Sequence, residues 1–162
     1  MQALFERVLL LKRAPFFELL RTDQLRYIAP VLEPVGWVAG ECVFYKGEPG
    51  SAMYIIVNGR VGVSLHDDPE RTDFVAEMRD GACFGEMGVL DDLPRSATVH
   101  VLADTQALSL SKEKLDGLLM SYPELGVGML RALSRRLREA NAALGAHSTT
   151  NPPPAPLEPR HP

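Results

Sequence analysis

Glu86 and Arg95 are the two side chains whose types and spacing could recognise a small charged molecule. Both lie in the glycine-containing segment 84–99. A carboxylate accepts a hydrogen bond from a sugar hydroxyl, and a guanidinium binds a phosphate through two parallel hydrogen bonds. Between the two residues, the segment 85–90 can form one helical turn whose first N–H groups point at an anion. This pattern predicts a site for a molecule that carries both a ribose hydroxyl and a phosphate.

Small and stiff residues beside the pair favour the same interpretation. Gly85 lets a ligand approach the backbone closely, and Pro94 stiffens the loop immediately before Arg95. Ser96 adds a hydroxyl beside the guanidinium, and the short side chain of Ala97 leaves room for a ligand on that side. These neighbours supply space and hydrogen-bonding capacity where the ligand would lie.

Each charged residue taken alone has a plainer explanation. Glu86 could be an acid in the first turn of a helix, where the helix dipole favours a negative charge by a few tenths of a kcal/mol. Arg95 could be an ordinary surface arginine. The combination of the two with the glycine turn is what favours a ligand site over these explanations.

The elements that position Glu86 and Arg95 can be predicted from regions of the chain that differ in hydrophobic pattern. Residues 1–32 predict two helices, the first ending at Pro15 and the second capped by Thr22. In the second helix we expect an apolar face made of Leu25, Ile28, Ala29 and Leu32. Residues 33–110 form short apolar runs separated by glycines, which indicates the antiparallel strands of a barrel or roll rather than a parallel sheet.

The strands of the middle region are predicted from apolar runs and from alternation. Residues 53–57 form an apolar run typical of a buried strand, and the Asn58–Gly59 pair after it predicts a hairpin turn. Residues 61–65 and 97–101 alternate apolar with polar side chains, so one face of each strand should be buried and the other wet. Ser96, Thr98 and His100 would lie on the wet face.

Residues 111–145 predict two further helices. Ser111 is a suitable cap for the first, and Pro123 suits the first turn of the second. The second helix carries small and apolar residues at alternating spacings of four and three: Gly126, Leu130, Leu133, Leu137, Ala140 and Leu144. Such a narrow row could pack on the strands or pair with a second copy of the chain. The proline-rich residues 146–162 predict a disordered tail or linker.

Composition excludes several classes of function. The 162 residues carry a net charge of −4, so no overall basic field would attract nucleic acid. No apolar run approaches the roughly 20 residues of a membrane span, and the start lacks the order of a signal peptide. The two cysteines, Cys42 and Cys83, are expected as buried thiols, which weakly favours the cytoplasm. Scattered histidines and the lack of a nucleophile–base pair predict neither a metal site nor an enzyme.

At the level of motifs the chain resembles the cyclic nucleotide-binding domains. Their phosphate-binding cassette has the order Phe-Gly-Glu, an apolar stretch, then Pro-Arg, a small residue, Ala and Thr; residues 84–98 match it throughout. The family's glycine framework is also present at 40–41, 46–50, 53–59 and 80–81. The resemblance implies an α+β fold: an antiparallel β-roll (a double-stranded β-helix, jelly-roll-like) with N-terminal helices, a short cassette helix and C-terminal lid helices.

The resemblance also implies roles for the residues of the cassette. Glu86 would accept a hydrogen bond from the ribose 2′-hydroxyl, and Arg95 would pair with the cyclic phosphate. Backbone amides would supply further donors to the phosphate, and they belong to Gly85, Glu86, Met87, Gly88, Ser96 and Ala97. Val63 would form an apolar wall near the base or sugar, and Met87 would flank the base. A serine, rather than a threonine, after the arginine favours cyclic AMP over cyclic GMP.

In the family the last helix closes over the base as a lid. Arg136 is the expected base-stacking residue and Arg135 the next choice, although both could simply belong to the solvated face of the helix. The apolar row could form a homodimer, as in catabolite activator protein. No effector, direct nucleic-acid contact, membrane span or cofactor is expected in these residues. The alternative is a protein-interaction or dimerisation module that keeps the fold without binding nucleotide.

Overall fold

The fold consists of an antiparallel sheet with helices before and after it. The computed structural model describes residues 3–66, 68 and 70–148. The helices are α1 (Leu4–Arg13), α2 (Thr22–Ile28), α3 (Glu86–Leu90), α4 (Lys112–Ser121) and α5 (Glu124–Ser148), with a 3-10 turn at Ala29–Val31. The strands are β1 (Glu33–Trp37), β2 (Cys42–Phe44), β3 (Ala52–Ser64), β4 (Ala76–Arg79), β5 (Cys83–Phe84) and β6 (Thr98–Ser111).

Two long strands form the centre of the sheet. β3 and β6 pair antiparallel along nearly their whole length, from Ala52 opposite Ser111 to Ser64 opposite Thr98. β1 and β2 pair with β6, while β4 and β5 pair with β3, and every one of these pairings is antiparallel. The antiparallel β-roll with flanking helices is therefore confirmed. Its two ends differ, because one is filled by the helices and the other carries the cassette.

The predicted hairpin at Asn58–Gly59 is wrong. These residues lie inside β3, where the register with β6 shifts and Gly59 takes a positive φ of 121°. The Gly59 N–H donates to Asp80 Oδ1 at 3.0 Å, and the Arg60 N–H donates to Thr105 Oγ1 at 3.1 Å. The glycine therefore makes a bulge rather than a turn. Both halves of β3 pair with β6. This strand is distant in sequence, so a local turn motif contains no information about the pairing.

The predicted wet face of β6 is also wrong at two positions. Thr98 and His100 are buried, whereas Ser96 just before the strand is exposed. The Thr98 hydroxyl accepts from the Lys46 N–H at 3.0 Å and donates to the His66 carbonyl at 2.8 Å. Phe74 packs against the His100 ring with centroids 5.4 Å apart. The segment after β3 thus covers a face of β6 that the alternating pattern alone predicts to be exposed to solvent.

Two apolar cores stabilise the fold. The larger core joins α1, α2, α4 and α5 to one half of β3 and β6, and it includes the fully buried Phe16 and Phe17. The smaller core lies inside the roll beside the cassette, and its buried members are Phe44, Ile56, Val61, Phe84 and Val99. Burial of each large side chain contributes roughly 1.5–3 kcal/mol, so the cores fix the strands that carry the cassette.

The helix caps are partly as predicted. Ser111 Oγ accepts from the Lys114 N–H at 3.3 Å, which confirms it as the cap of α4. Thr22 is not the cap of α2 but its first residue. The cap is Arg21, whose N–H donates to Gln24 Oε1 at 2.9 Å. The predicted apolar face of the second helical segment is confirmed, since all four of its residues are buried.

The apolar row predicted on the last helix faces mostly outward. Leu130 and Leu137 are 67% and 62% exposed. The face of α5 that packs on the rest of the chain consists instead of Leu125, Gly128, Met129 and Ala132. Packing on the roll is therefore not the role of most of the predicted row. The helix also runs to Ser148, so residues 146–148 of the predicted tail are helical; the remainder of the tail lies outside the described residues.

Both cysteines are free thiols, with Cys83 buried and Cys42 half-buried. Across residues 3–66, 68 and 70–148, the helices are too short or too polar to cross a bilayer. The same residues bring together no group of three or more potential metal ligands.

Candidate functional site

Gly85 forms the corner between β5 and the cassette helix α3. Its φ of +81° lies in the left-handed region, which only glycine adopts without strain. A Cβ on Gly85 would lie 2.7 Å from Arg95 Nη1 and 3.1 Å from the Ala52 carbonyl oxygen. The glycine is therefore required both by the backbone conformation and by the close approach of the arginine. The helical turn predicted for residues 85–90 is confirmed, with Gly85 as the cap.

Backbone hydrogen bonds fix the loop that carries Arg95. The Arg95 N–H donates to the Glu48 carbonyl at 2.7 Å, and the Arg95 carbonyl accepts from the Gly47 N–H at 2.8 Å. These two bonds pair the cassette loop with the glycine-rich turn before β3. Arg95 is consequently placed by main-chain geometry on both of its sides.

The guanidinium of Arg95 is held below the cassette. Nη1 donates to the Gly85 carbonyl at 3.0 Å and Nη2 to the Ala52 carbonyl at 2.6 Å. Its carbon lies 4.0 Å from the centroid of the Phe44 ring, a cation–π contact. The residue is only 5% exposed. Arg95 is thus a buried cation with a fixed orientation rather than a surface arginine.

Burial leaves this cation short of partners. Burial lowers the pKa of Arg95 from its usual value, and nearby Tyr54, Glu48 and Glu86 partly offset that effect. An arginine stays protonated in such a setting. Its Nε is buried and has no hydrogen-bond partner among the described residues. An anion at this position would satisfy the free donor and the positive charge together.

Glu86, the first residue of α3, is paired with the last helix. Its side chain is only 9% exposed, and Oε1 lies 2.5 Å from Arg136 Nη1. Burial alone would lower the pKa of Arg136, but the hydrogen bond to Glu86 and the charge of that carboxylate raise it. Arg135 instead pairs with Glu18 at 2.9 Å. Of the two arginines considered for the lid, Arg136 is therefore the one at the cassette.

The sequence-predicted site residues all line one cavity of about 190 Å³. They are Val63, Gly85, Glu86, Met87, Gly88, Arg95, Ser96, Ala97 and Arg136. Sequence reasoning missed four further lining residues: Phe44, Met78, Phe84 and Val99. Strand pairing explains two of these four, because β6 places Val99 between Phe44 of β2 and the predicted Val63 of β3. No local signal in the sequence marks them, apart from their apolar character within strands.

The lining of the cavity contains two chemically different polar groups. One is the buried guanidinium of Arg95, here called the Arg95 end, and the other is the Glu86 carboxylate paired with Arg136, here called the Glu86 end. Apolar side chains such as Val63 and Val99 are also part of the lining. This arrangement can bind an anion and a hydroxyl of one small molecule at the same time.

Comparison with known proteins agrees with this geometry. The family model for the cyclic nucleotide-binding domain matches residues 35–122, more than half of the chain. The chain is 30% identical over 132 residues to the CRP-like cAMP-activated global transcriptional regulator of Mycobacterium tuberculosis, covering 82% of this chain and 59% of that protein. It is 32% identical over 136 residues to the cyclic AMP receptor protein of Thermus thermophilus, covering 83% of this chain and 62% of that protein.

A solved structure supports the same relationship. The N-terminal domain of a transcriptional regulator from Streptomyces coelicolor A3(2) superposes with a TM-score of 0.72 at 30% identity, covering 83% of this chain and 96% of that one. The chain spans about three fifths of the length of the two curated relatives. With the cassette, the roll and the family match in agreement, the chain belongs to the cyclic nucleotide-binding domain family.

Proposed function

We propose that the pocket binds cyclic AMP in preference to cyclic GMP and that binding repositions α5. The observation that carries this proposal is the convergence of Arg95, Glu86 and Arg136 on one cavity of about 190 Å³. A cyclic nucleotide carries one phosphate, one ribose hydroxyl and one base, and each has a matching group here. As a regulatory domain the chain would act by reporting the ligand to another protein or domain.

The phosphate would bind at the Arg95 end. The unpartnered Nε of Arg95 and the amides of Gly85–Gly88 and Ser96–Ala97 are the donors for it. Hydrogen bonds to charged groups contribute roughly 1.5–3 kcal/mol each. Two or three of them, together with burial of the base, reach the roughly 8 kcal/mol of a micromolar complex.

The ribose would bind at the Glu86 end, where the lid helix already makes contact. A 2′-hydroxyl donating to Glu86 would compete with Arg136 for the same carboxylate. The cavity is also smaller than the roughly 300 Å³ at the low end of small-molecule pockets. Arg136 would therefore have to move from Glu86 toward the base, on which an arginine plane can stack. This displacement is how ligand binding would change the position of α5.

The preference for cyclic AMP rests on two observations. The residue after the cassette arginine is Ser96 rather than a threonine. The two relatives named above are described as cAMP-activated and as a cyclic AMP receptor. Val63 and Met87 would contact the base on its apolar faces.

Isothermal titration calorimetry with both cyclic nucleotides tests the proposal. We expect micromolar binding of cyclic AMP and weaker binding of cyclic GMP, with the noncyclic 5′-AMP as a control for the ring phosphate. A protein that gives neither heat nor a thermal shift at millimolar nucleotide would instead be the ligand-free interaction module. A higher affinity for cyclic GMP would overturn the cAMP preference while leaving the pocket assignment intact.

We also propose that the exposed row of α5 pairs two copies of the chain. Leu130 and Leu137 lie two helical turns apart on one face and are each more than 60% exposed. Apolar side chains at this spacing are the seam of a two-helix interface. Analytical ultracentrifugation should show a dimer that Leu130→Lys with Leu137→Lys converts to a monomer, whereas a monomeric wild type would contradict the pairing.

The two free thiols support a cytoplasmic location.

A further inference from the structure

A cysteine and a histidine form a side-chain pair outside the nucleotide pocket. Cys42 of β2 lies opposite His100 of β6 in the strand register. The Cys42 Sγ atom is 3.5 Å from His100 Nδ1. The Tyr45 hydroxyl also faces this sulfur, and its interaction with Cys42 raises the pKa of Tyr45. The thiol therefore has a potential proton acceptor and a potential donor beside it.

Packing holds the imidazole in place. His100 is 8% exposed and its Nε2 has no hydrogen-bond partner among the described residues. The ring of Phe74 packs against the imidazole of His100. Phe74 has room there because the β3 residue paired with His100 is Gly62, which has no side chain. A Cβ on Gly62 would lie 2.8 Å from the Phe74 ring. With the ring clamped in this way, Nδ1 is kept toward the sulfur of Cys42.

The second cysteine provides a contrast within the same chain. Cys83 is 5% exposed, and burial with the nearby charge of Glu86 raises the pKa of its thiol to about 11. Cys42 is only half-buried, so part of this residue is exposed to solvent. Because the thiolate is the reactive form, a buried thiol of high pKa is inert, while an accessible thiol beside a base can react.

We propose that Cys42 is a modification site, a thiol that hydrogen peroxide oxidises with His100 as the base. His100 Nδ1 takes the thiol proton as the sulfur attacks the peroxide, so the S–O bond forms and the O–O bond breaks. The proton then goes to the departing hydroxide, which leaves as water. Sulfur loses two electrons to become a sulfenic acid, and the peroxide is reduced by the same two electrons.

Mass spectrometry of the folded protein tests the proposal without any substitution. Hydrogen peroxide is added in the presence of dimedone, which traps sulfenic acids, and the two cysteine-containing peptides are quantified over time. We expect Cys42 to react at least about tenfold faster than Cys83, and the difference should vanish in denaturing urea. Equal rates in the folded protein, or faster reaction of Cys83, would overturn the proposal.

Substitutions separate the role of the base from simple exposure. His100→Asn should slow trapping at Cys42 by about 100-fold, the lower end of what a positioned base contributes. Cys83→Ser should leave the rate at Cys42 unchanged. A His100→Asn protein that shows the wild-type circular dichroism spectrum and the wild-type rate would refute the role of His100. If that variant does not fold, the two-cysteine comparison in the wild type still decides whether Cys42 is selectively oxidised.

Oxidation of Cys42 should also weaken nucleotide binding, an inference that rests on the proposed function. The strand β2 is three residues long and irregular in register, and it ends at Phe44 beneath the Arg95 guanidinium. Movement of β2 would therefore disturb the phosphate end of the pocket. If reduced protein binds cyclic AMP and oxidised protein binds it equally well, this coupling is wrong. If reduced protein does not bind, the proposed function fails while the modification site stands on its mass-spectrometric test.

Discussion

The two arginines of the pocket are held in opposite ways. Arg95 is 5% exposed, and its guanidinium is bonded to the carbonyls of Gly85 and Ala52 and stacked on Phe44. Arg136 has a side chain that is 40% exposed, and the contact that holds it at the cassette is the carboxylate of Glu86. The first arginine is fixed by the main chain, and the second by one side chain.

This difference teaches how one pocket can be both preorganised and switchable. Carbonyl oxygens of β3 and of the cassette corner cannot leave without local unfolding, so Arg95 keeps its orientation before any ligand binds. An ion pair between two side chains can be exchanged for contacts with a ligand, so Arg136 can change position. In the function proposed above, Arg95 would supply affinity for the phosphate and Arg136 would supply the response of α5.

Arg95→Ala should have the largest effect on this contrast. Loss of two charge-assisted hydrogen bonds of about 1.5 kcal/mol each weakens nucleotide binding by about 100-fold or more. Arg95→Lys keeps the charge but loses the forked geometry of the guanidinium. Its affinity should therefore lie between those of the wild type and Arg95→Ala. Calorimetry gives the affinities, and thermal melts establish that each variant is folded. An Arg95→Ala protein within about threefold of wild type would show that the preorganised end does not supply the affinity.

Gly85→Ala should damage both stability and binding. A side chain at φ +81° costs about 1–3 kcal/mol, and here its Cβ also meets Arg95 Nη1 at 2.7 Å. Gly81→Ala is the matched control, because φ is +84° and the closest atom, Arg13 Cβ, is 4.0 Å away. Urea unfolding should show a lower free energy of unfolding for both variants, with the larger decrease in Gly85→Ala. The affinity for nucleotide should fall only in Gly85→Ala. Equal affinities for the two variants would argue against a tight fit around Arg95.

Glu86→Gln should reduce affinity by about tenfold. The amide is a weaker acceptor for a ribose hydroxyl than the carboxylate, and a change of 1.4 kcal/mol corresponds to this factor. It also removes the charge that holds Arg136, so α5 should exchange its amide hydrogens faster in the free protein. Glu113→Gln, at an exposed position in the first turn of α4, is the control for loss of one negative charge. If the two variants bind alike, Glu86 does not contact the ligand.

Arg136→Ala should have the smallest effect on affinity and the largest on the response. Loss of an arginine–base contact of about 1 kcal/mol weakens binding roughly fivefold. Hydrogen exchange should then show no ligand-dependent change in α5, although the ligand still binds at Arg95. Arg135→Ala is the control, because Arg135 pairs with Glu18 away from the pocket. A normal α5 response in Arg136→Ala would place the switch elsewhere.

Local chemistry accounts for what could be predicted from the sequence. The corner at Gly85 and the cap at Ser111 depend on a few consecutive residues, so their signals are complete in the sequence. Seven of the nine predicted site residues belong to the cassette motif, while Val63 and Arg136 follow from the family resemblance, and the structure places all nine around one cavity. Whether they bind a nucleotide remains a prediction that the variants above test.

Local sequence patterns gave wrong predictions where a segment distant in sequence overrides a local conformational preference. Asn58–Gly59 favours a turn, but the pairing of β3 with β6 continues through it, so the glycine is used for a bulge. Thr98 and His100 alternate as if exposed, yet the chain after β3 covers them. Periodicity describes the two faces of a strand but contains no information about what packs on each face.

The type and order of residues thus determine the cassette: a glycine that can adopt positive φ, a carboxylate, and an arginine after a proline. What the folded chain adds is the environment of these groups. Strand pairing places Phe44 under Arg95, and the approach of α5 places Arg136 on Glu86. Both contacts join residues far apart in sequence. Their formation depends on the whole set of cores and strand registers, and no local pattern specifies it.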